Sequence, residues 1–203
     1  MSDLREYNYN NSVVFRKTTE KWGGLSNMAR GYPIVVNDIK IQSSETLYQA
    51  MRFTAYPEVQ KEILSQNNPM YGKRISRKYH SLTRTCWDQE RVAIMKWAVC
   101  VKLCQNWEKF STLLLSTGDK PIVEYSEKDQ FWGAKSIGNH TYSGMNVLGR
   151  ILMLLRDRCE HRGQQAFTVI PPPNLADFNM IGEPIQNVTA PVTCSPLIST
   201  PRC

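Results

Sequence analysis

Apolar positions along the chain recur first with a period of two and then with a period near 3.6. Val13-Val14-Phe15 and Ile34-Val35-Val36 are short strand-like runs, and the second turns at Asn37-Asp38 into Ile39-Lys40-Ile41, which predicts a β-hairpin. Ser44 stands as the N-cap of a helix in which Leu47, Ala50 and Met51 recur at helical spacing, leaving Glu45, Gln49 and Arg52 together on the polar face. Pro57 opens a second helix through Leu64, Asn67-Asn68-Pro69 breaks it, and a basic helix or turn follows from Met70 to Lys78. Trp87 to Gln105 carries Val92, Met95, Val99 and Leu103 as an apolar stripe and predicts a long central helix. A shorter helix bearing Phe110, Leu113 and Leu114 ends near Gly118, and Ile122 to Tyr125 predicts a strand. Asp129 to Asn146 is a glycine-dotted loop, and Asn146 to Arg158 is the last helix.

Beyond Gln165 the periodicity stops, and Pro171-Pro172-Pro173 introduces a stretch rich in Pro, Thr, Ser and Asn. The pattern predicts a mainly helical α+β domain over residues 1–165 with a small β-hairpin or sheet. A Pro-rich, extended tail follows over 166–203, in which Phe178, Met180 and Ile181 are the residues fit to dock on the domain. A chain of 203 residues buries a core without staples. Its 25 Lys and Arg against 18 Asp and Glu give a net charge of +7, which favours phosphate-bearing partners. No basic leader with an apolar core and no run of about eighteen apolar residues is present, so a cytoplasmic protein without membrane contact is expected. The cysteines at 86, 100, 104, 159, 194 and 203 follow no disulfide or CxxC spacing. Cys100 and Cys104 lie one helical turn apart without partner histidines at zinc spacing, so they are expected in the core, and neither metal nor cofactor is expected.

Three polar blocks carry the candidate chemistry: Trp22 to Met28, Ser44 to Ala50, and Ser126 to Gly133. Glu45 in a first helical turn complements the helix dipole in the bland reading. Asp129 in a loop is as readily a turn residue bonded to its own backbone. As a pair they supply what glycosidic cleavage requires, one carboxyl group to protonate a leaving group and another to face a cationic anomeric carbon. Tyr71 to Lys78, continued through His80 to Arg84, is a basic run, ordinarily a solvated face. Lys73, which follows Gly72, is the member expected to point inward. In a desolvated, cation-rich pocket its pKa would fall, making it a nucleophile toward a sugar C1 through an imine; otherwise it binds phosphate. Trp87 is more often core than site, although its ring suits stacking on a base or ribose.

Nine short blocks in order resemble the NADAR family. They are Leu25-Ser26-Asn27; Ser44-Glu45-x-Leu47-Tyr48-Gln49-Ala50; Gly72-Lys73; Trp87 with Arg91; Lys102-Leu103-x-Gln105-Asn106; Phe110 with Leu114-x-x-Thr117-Gly118; Val123-Glu124-x-Ser126-x-x-Asp129; Trp132-Gly133; and Gly144-x-Asn146-x-Leu148-Gly149-Arg150-x-Leu152-Met153-x-x-Arg156. They span about residues 13 to 158 and leave the tail uncovered. The resemblance implies a compact α+β domain that hydrolyses an N-glycosidic bond without metal or redox cofactor. Two substrate classes go with it: guanine-linked ADP-ribose in nucleic acid, a mark installed by DNA-targeting ADP-ribosyltransferase toxins, and phosphoribosylamino intermediates of riboflavin synthesis. A module that only reads ADP-ribose is a third implied role. By matching position Glu45, Lys73, Trp87 and Asp129 are implied in the active site, with Asn27, Gln49 and Trp132 lining it; Arg74 is added as a phosphate-binding cation from the basic run. The chain departs from the family's N-glycosidase pattern at Met28, Lys21 to Gly24 and Tyr71-Gly72. These departures bear on substrate identity and, with the basic run, turn the expectation toward nucleic acid.

Overall fold

The structure, a computed structural model, describes residues 4–191. Cys194, Cys203 and the end of the tail lie outside the described residues. The hairpin is present as β3 (Ile34–Val36) against β4 (Ile39–Ile41), and Asn37 and Asp38 both take positive φ, the turn geometry that matches strand twist. The helix after it, α1 (Ser44–Ala50), is capped one residue earlier than expected: Ser43 Oγ accepts from Thr46 N, and Ser44 is the first helical residue. Ser44 is free for another task because its Oγ donates to Asn27 Oδ1 at 3.1 Å. Every residue of α1 is buried, so the expected polar face points into the molecule rather than to water.

Pro57 and Pro69 occupy first helical positions of α2 (Pro57–Leu64) and α3 (Pro69–Lys78), where a missing N–H costs nothing. The basic run is thus a true helix. The long helix α4 (Trp87–Gln105) is buried on nearly all sides from Ile94 to Cys104 and forms the axis of the core. The remaining helices are α5 (Trp107–Leu115) and α6 (Val147–Arg162). α6 runs four residues past the expected Arg158 and stops where Gly163 takes φ 59°.

The strand over 122–125 is β5 (Ile122–Glu124), paired in parallel with β2 (Val13–Phe15). The expected loop from Asp129 to Asn146 instead contains a hairpin, β6 (Lys135–Gly138) and β7 (Thr141–Gly144), turned by Asn139 and His140 at positive φ. β7 also pairs with β1 (Arg5–Asn8), which had no strand signal. β6 is exposed along its whole length, so no apolar alternation marks it.

Past 165 the chain is laid on the core as far as 191. β8 (Val169–Ile170) pairs with β11 (Val188–Thr189), and β9 (Asn179–Met180) with β10 (Glu183–Pro184). The extended tail expected from sequence is thus corrected as far as 191: Phe178 and Met180 are buried, Ile181 is partly so, and Phe167, Ile170, Ile185 and Val188 are buried with them. Among the described residues no helix is long and apolar enough to cross a membrane.

Candidate active site

α1, α3, the start of α4 and the end of β5 meet around a cavity of about 490 Å³. Glu45 enters from the first turn of α1. Its backbone N–H donates to the Asn27 carbonyl at 3.1 Å, and Gln49, one turn on, donates to its Oε1 at 2.8 Å. The Asn27 loop is fastened from behind by Lys102, a fully buried amine whose pKa burial lowers and which donates to the carbonyls of Gly24 and Ser26. Lys73 reaches in from α3 and places Nζ 3.8 Å from Glu45 Oε1. The desolvated, cation-rich setting expected of Lys73 is not found: 37% of its side chain is exposed and its near neighbour is a carboxylate.

Asp129 lines the same cavity, and the bland reading of it is also realised. Its Oδ1 accepts from the backbone N–H groups of Phe131 and Trp132 at 3.1 and 2.9 Å, which sets the loop that presents Trp132.

A third carboxylate stands beside these two, and it was not singled out in the sequence. Glu124 ends β5, and burial pushes its pKa up to about 7, helped by the negative charges of Glu45 and Asp129 and opposed by Lys73. Its backbone is clamped on both sides: Asn146 Oδ1 accepts from Glu124 N, Asn146 Nδ2 donates to Ile122 O, and Ala134 N donates to Glu124 O. A Cβ at Gly133 would run into the Glu124 carbonyl oxygen, so the close approach requires glycine there. The available signal was the strand's period: Ile122 and Glu124 share a face, and that face enters the core.

Arg74, expected to bind phosphate, is not in the cavity. It is exposed and lies over the Tyr71 ring, because one position along α3 turns a side chain about 100° away from Lys73. The arginines that line the cavity are instead Arg52, Arg84 and Arg91. Arg52 lies 4.9 Å over the Trp87 ring, and Arg91 lies 3.7 Å over Phe131. Burial lowers the pKa of Arg52 and raises that of Tyr48, the latter also through Glu45. Trp87 is 8% exposed, packed on Tyr48 with Arg52 across its face, so it supports the wall rather than offering a free ring. Trp132 is half-buried and edge-on to Tyr48 and Phe131, and it lines the cavity together with Trp87.

The sequence profile of the NADAR domain matches residues 14–160, which contain every one of these cavity residues. The chain belongs to the NADAR family. Among its NADAR relatives, N-glycosidase YbiA of Escherichia coli strain K12 is 32% identical over 146 residues, covering 72% of this chain and 87% of the relative. Riboflavin biosynthesis protein VVA0006 of Vibrio vulnificus strain YJ016 is 34% identical over 160 residues; the match takes 78% of this chain but only 41% of the relative's length. The NMR structure of Escherichia coli YbiA superposes with a TM-score of 0.62 at 28% identity, covering 74% of this chain and 86% of that one. The NADAR match ends before the segment that β8 to β11 fasten to the core.

Proposed function

We propose that the protein hydrolyses the N-glycosidic bond between a phosphorylated ribose and a nitrogen base, and that its substrate is ADP-ribose linked to guanine in nucleic acid. The observation that carries this reading is the convergence of Glu45, Glu124, Asp129 and Lys73 on one cavity, with Glu124 titrating at about 7. A base departs from C1 readily when its leaving nitrogen is protonated, and the sugar carbon becomes cationic as it leaves. Glu124 gives its proton to that nitrogen. Glu45 faces the developing cation, oriented by Gln49, and takes a proton from the water whose oxygen bonds to C1. Asp129, with Oδ1 spent on backbone amides, presents its other oxygen as fixed negative charge.

Lys73 acts beside Glu45 at C1. Borohydride during turnover resolves how: a reduced sugar adduct on Lys73 marks an imine, and turnover without an adduct marks an ammonium acting by charge. Trp132 is the ring available to cover a base. Arg52, Arg84 and Arg91 supply the phosphate-binding charge assigned from sequence to Arg74.

Support for nucleic acid comes from the outer side of α3, where Tyr71, Arg74, Arg77 and Lys78 are exposed on the helix that carries Lys73 inward, in a chain of net charge +7. On this reading the functional partner is the DNA-modifying ADP-ribosyltransferase whose product the protein reverses. A second reading, cleavage of a phosphoribosylaminopyrimidine, is supported by the riboflavin biosynthesis name of the Vibrio relative, while the E. coli name gives only the N-glycosidase class. Incubation with each substrate separates them. Release of ADP-ribose that leaves an unmodified oligonucleotide supports the first, and release of ribose 5-phosphate from the pyrimidine alone supports the second. Binding of ADP-ribose without turnover of either would leave a reader module, against which the three carboxylates weigh.

A further inference from the structure

Arg84 is the cavity cation most firmly held, and part of what holds it comes from beyond the matched domain. Its Nη2 donates to the carbonyl of Ala176 at 2.9 Å, and its guanidinium lies 5.9 Å over the Phe178 ring. On the domain side Glu90 stands 2.7 Å from its Nε, Nη1 donates to Thr54 Oγ1 at 3.4 Å, and its backbone N–H donates to the carbonyl of Arg52. Both Nη atoms carry two N–H groups, so one on each is left for a ligand.

The segment that supplies Ala176 and Phe178 is not loosely apposed. Phe178 is buried edge-on against Trp97 of α4, with ring centroids 5.2 Å apart. Gln60, wholly buried, donates to Asn179 O at 3.0 Å and accepts from Ile181 N at 2.6 Å, while its Nε2 also reaches the carbonyl of Ala50 at the end of α1. The same strap therefore touches the arginine in the cavity wall directly and is linked through Gln60 to the end of the helix that carries Glu45.

We propose that the C-terminal strap around Ala176 to Ile181 is a working part of the site. Through the Ala176 carbonyl and the Phe178 ring it fixes Arg84 as a fork for the 5′-phosphoryl group of the bound ribose, with Phe178 as the positioning residue. Both substrate classes above carry that group, and the inference rests on their being ribose phosphates. An arginine held on one face by a ring and at one Nη by a carbonyl loses little freedom when it binds a phosphate, which is where preorganisation shows as affinity.

The test is a double-mutant cycle on the full chain, with Phe178→Leu, Phe178→Ala, Arg84→Gln and the combinations. Dissociation constants for ribose 5-phosphate and for ADP-ribose are measured beside KM, kcat and Tm. Phe178→Leu keeps an apolar side chain in the Trp97 contact if alanine unfolds the strap. The expected result is a Kd and KM raised about ten-fold by Arg84→Gln and several-fold by Phe178→Leu, with kcat nearly unchanged and with no further rise when both are present. Arg84→Lys, which keeps charge without the fork, is expected to fall between wild type and Arg84→Gln. A Phe178→Leu protein with lowered Tm but unchanged Kd, or effects that multiply in the double variant, overturns the proposal while leaving the glycosidase reading intact. Strap-dependent binding without release of base from either substrate overturns that reading instead. A wild type that binds neither ligand overturns both.

Discussion

Glu124 carries the sharpest consequences at the scale of single residues. A general acid must hold its proton, so kcat/KM is expected to fall as pH rises through about 7, and Glu124→Gln is expected to lose about a hundred-fold in kcat. Stability should fall over the same rise in pH. A carboxyl whose folded pKa is raised favours the folded state fully below its unfolded value near 4.5, and that favour is lost as pH rises through about 7. Glu124→Gln is therefore expected to melt higher than wild type above pH 7, by an increment on the order of 1–3 kcal/mol, and to match it near pH 4. Calorimetry at the two pH values checks it, and a variant that melts lower at both would contradict the assigned desolvation. Glu45, Lys73 and Asp129 were legible in the sequence through the family resemblance, since their residue types alone left bland readings open. Glu124 stood in a matched block beside Asp129 and was given no role there, because a Glu closing an apolar strand looks like a residue turned to water. Arg52, Arg84 and Arg91 were quoted in the sequence blocks without a role, since a polar residue past a helix end, in a loop or on a helix gives no sign of whether it meets solvent or a cavity.

At the scale of elements, the site depends on how β5 is held at the start of α6. Asn146 is fully buried, takes φ 49°, and spends both side-chain ends on β5. Asn146→Ala removes two buried hydrogen bonds and leaves a Cβ residue in the left-handed region, an expected loss of about 3 kcal/mol. Asn146→Gly relieves the backbone part and should recover about 1 kcal/mol of it without restoring activity, because Glu124 stays unclamped. Chemical denaturation of the two variants beside their kcat values tests this. The hairpin β3–β4 was visible because Asn-Asp sits between apolar strands. The β6–β7 hairpin was hidden by a fully exposed β6, by a β7 without apolar alternation, and by a turn made by Asn139 and His140. A cap shifted by one residue at α1 had a real consequence: with Ser43 capping, Ser44 is released to hold Asn27.

At the scale of the whole molecule, the mainly helical α+β domain was legible from periodicity, whereas the docking of the tail rests on side chains spread too thinly to form a pattern. Phe178, Met180, Ile185 and Val188 are each buried singly among prolines and polar residues. The basic side of α3 also acts at this scale. If a nucleic-acid strand tracks along Arg74, Arg77 and Lys78, raising salt from 50 to 200 mM should increase KM for a modified oligonucleotide on the order of ten-fold. A ribosylaminopyrimidine phosphate, held within the cavity, should respond much less. Reversing two charges with Arg74→Glu and Arg77→Glu should flatten the oligonucleotide's salt response and spare the small substrate. Equal salt responses for both would remove α3 from substrate binding.

The central claim is that carboxylates in one cavity break a bond between ribose and a base nitrogen. It is tested most directly by following released products by mass spectrometry from pH 5 to 9, for the wild type, Glu45→Gln and Glu124→Gln. A guanine-ADP-ribosylated oligonucleotide and, separately, a phosphoribosylaminopyrimidine serve as substrates. The account predicts release of ADP-ribose with intact, unmodified oligonucleotide, abolished in Glu45→Gln, and an alkaline decline near pH 7 that disappears with the residual activity of Glu124→Gln. Release that is unchanged in both folded variants would contradict it.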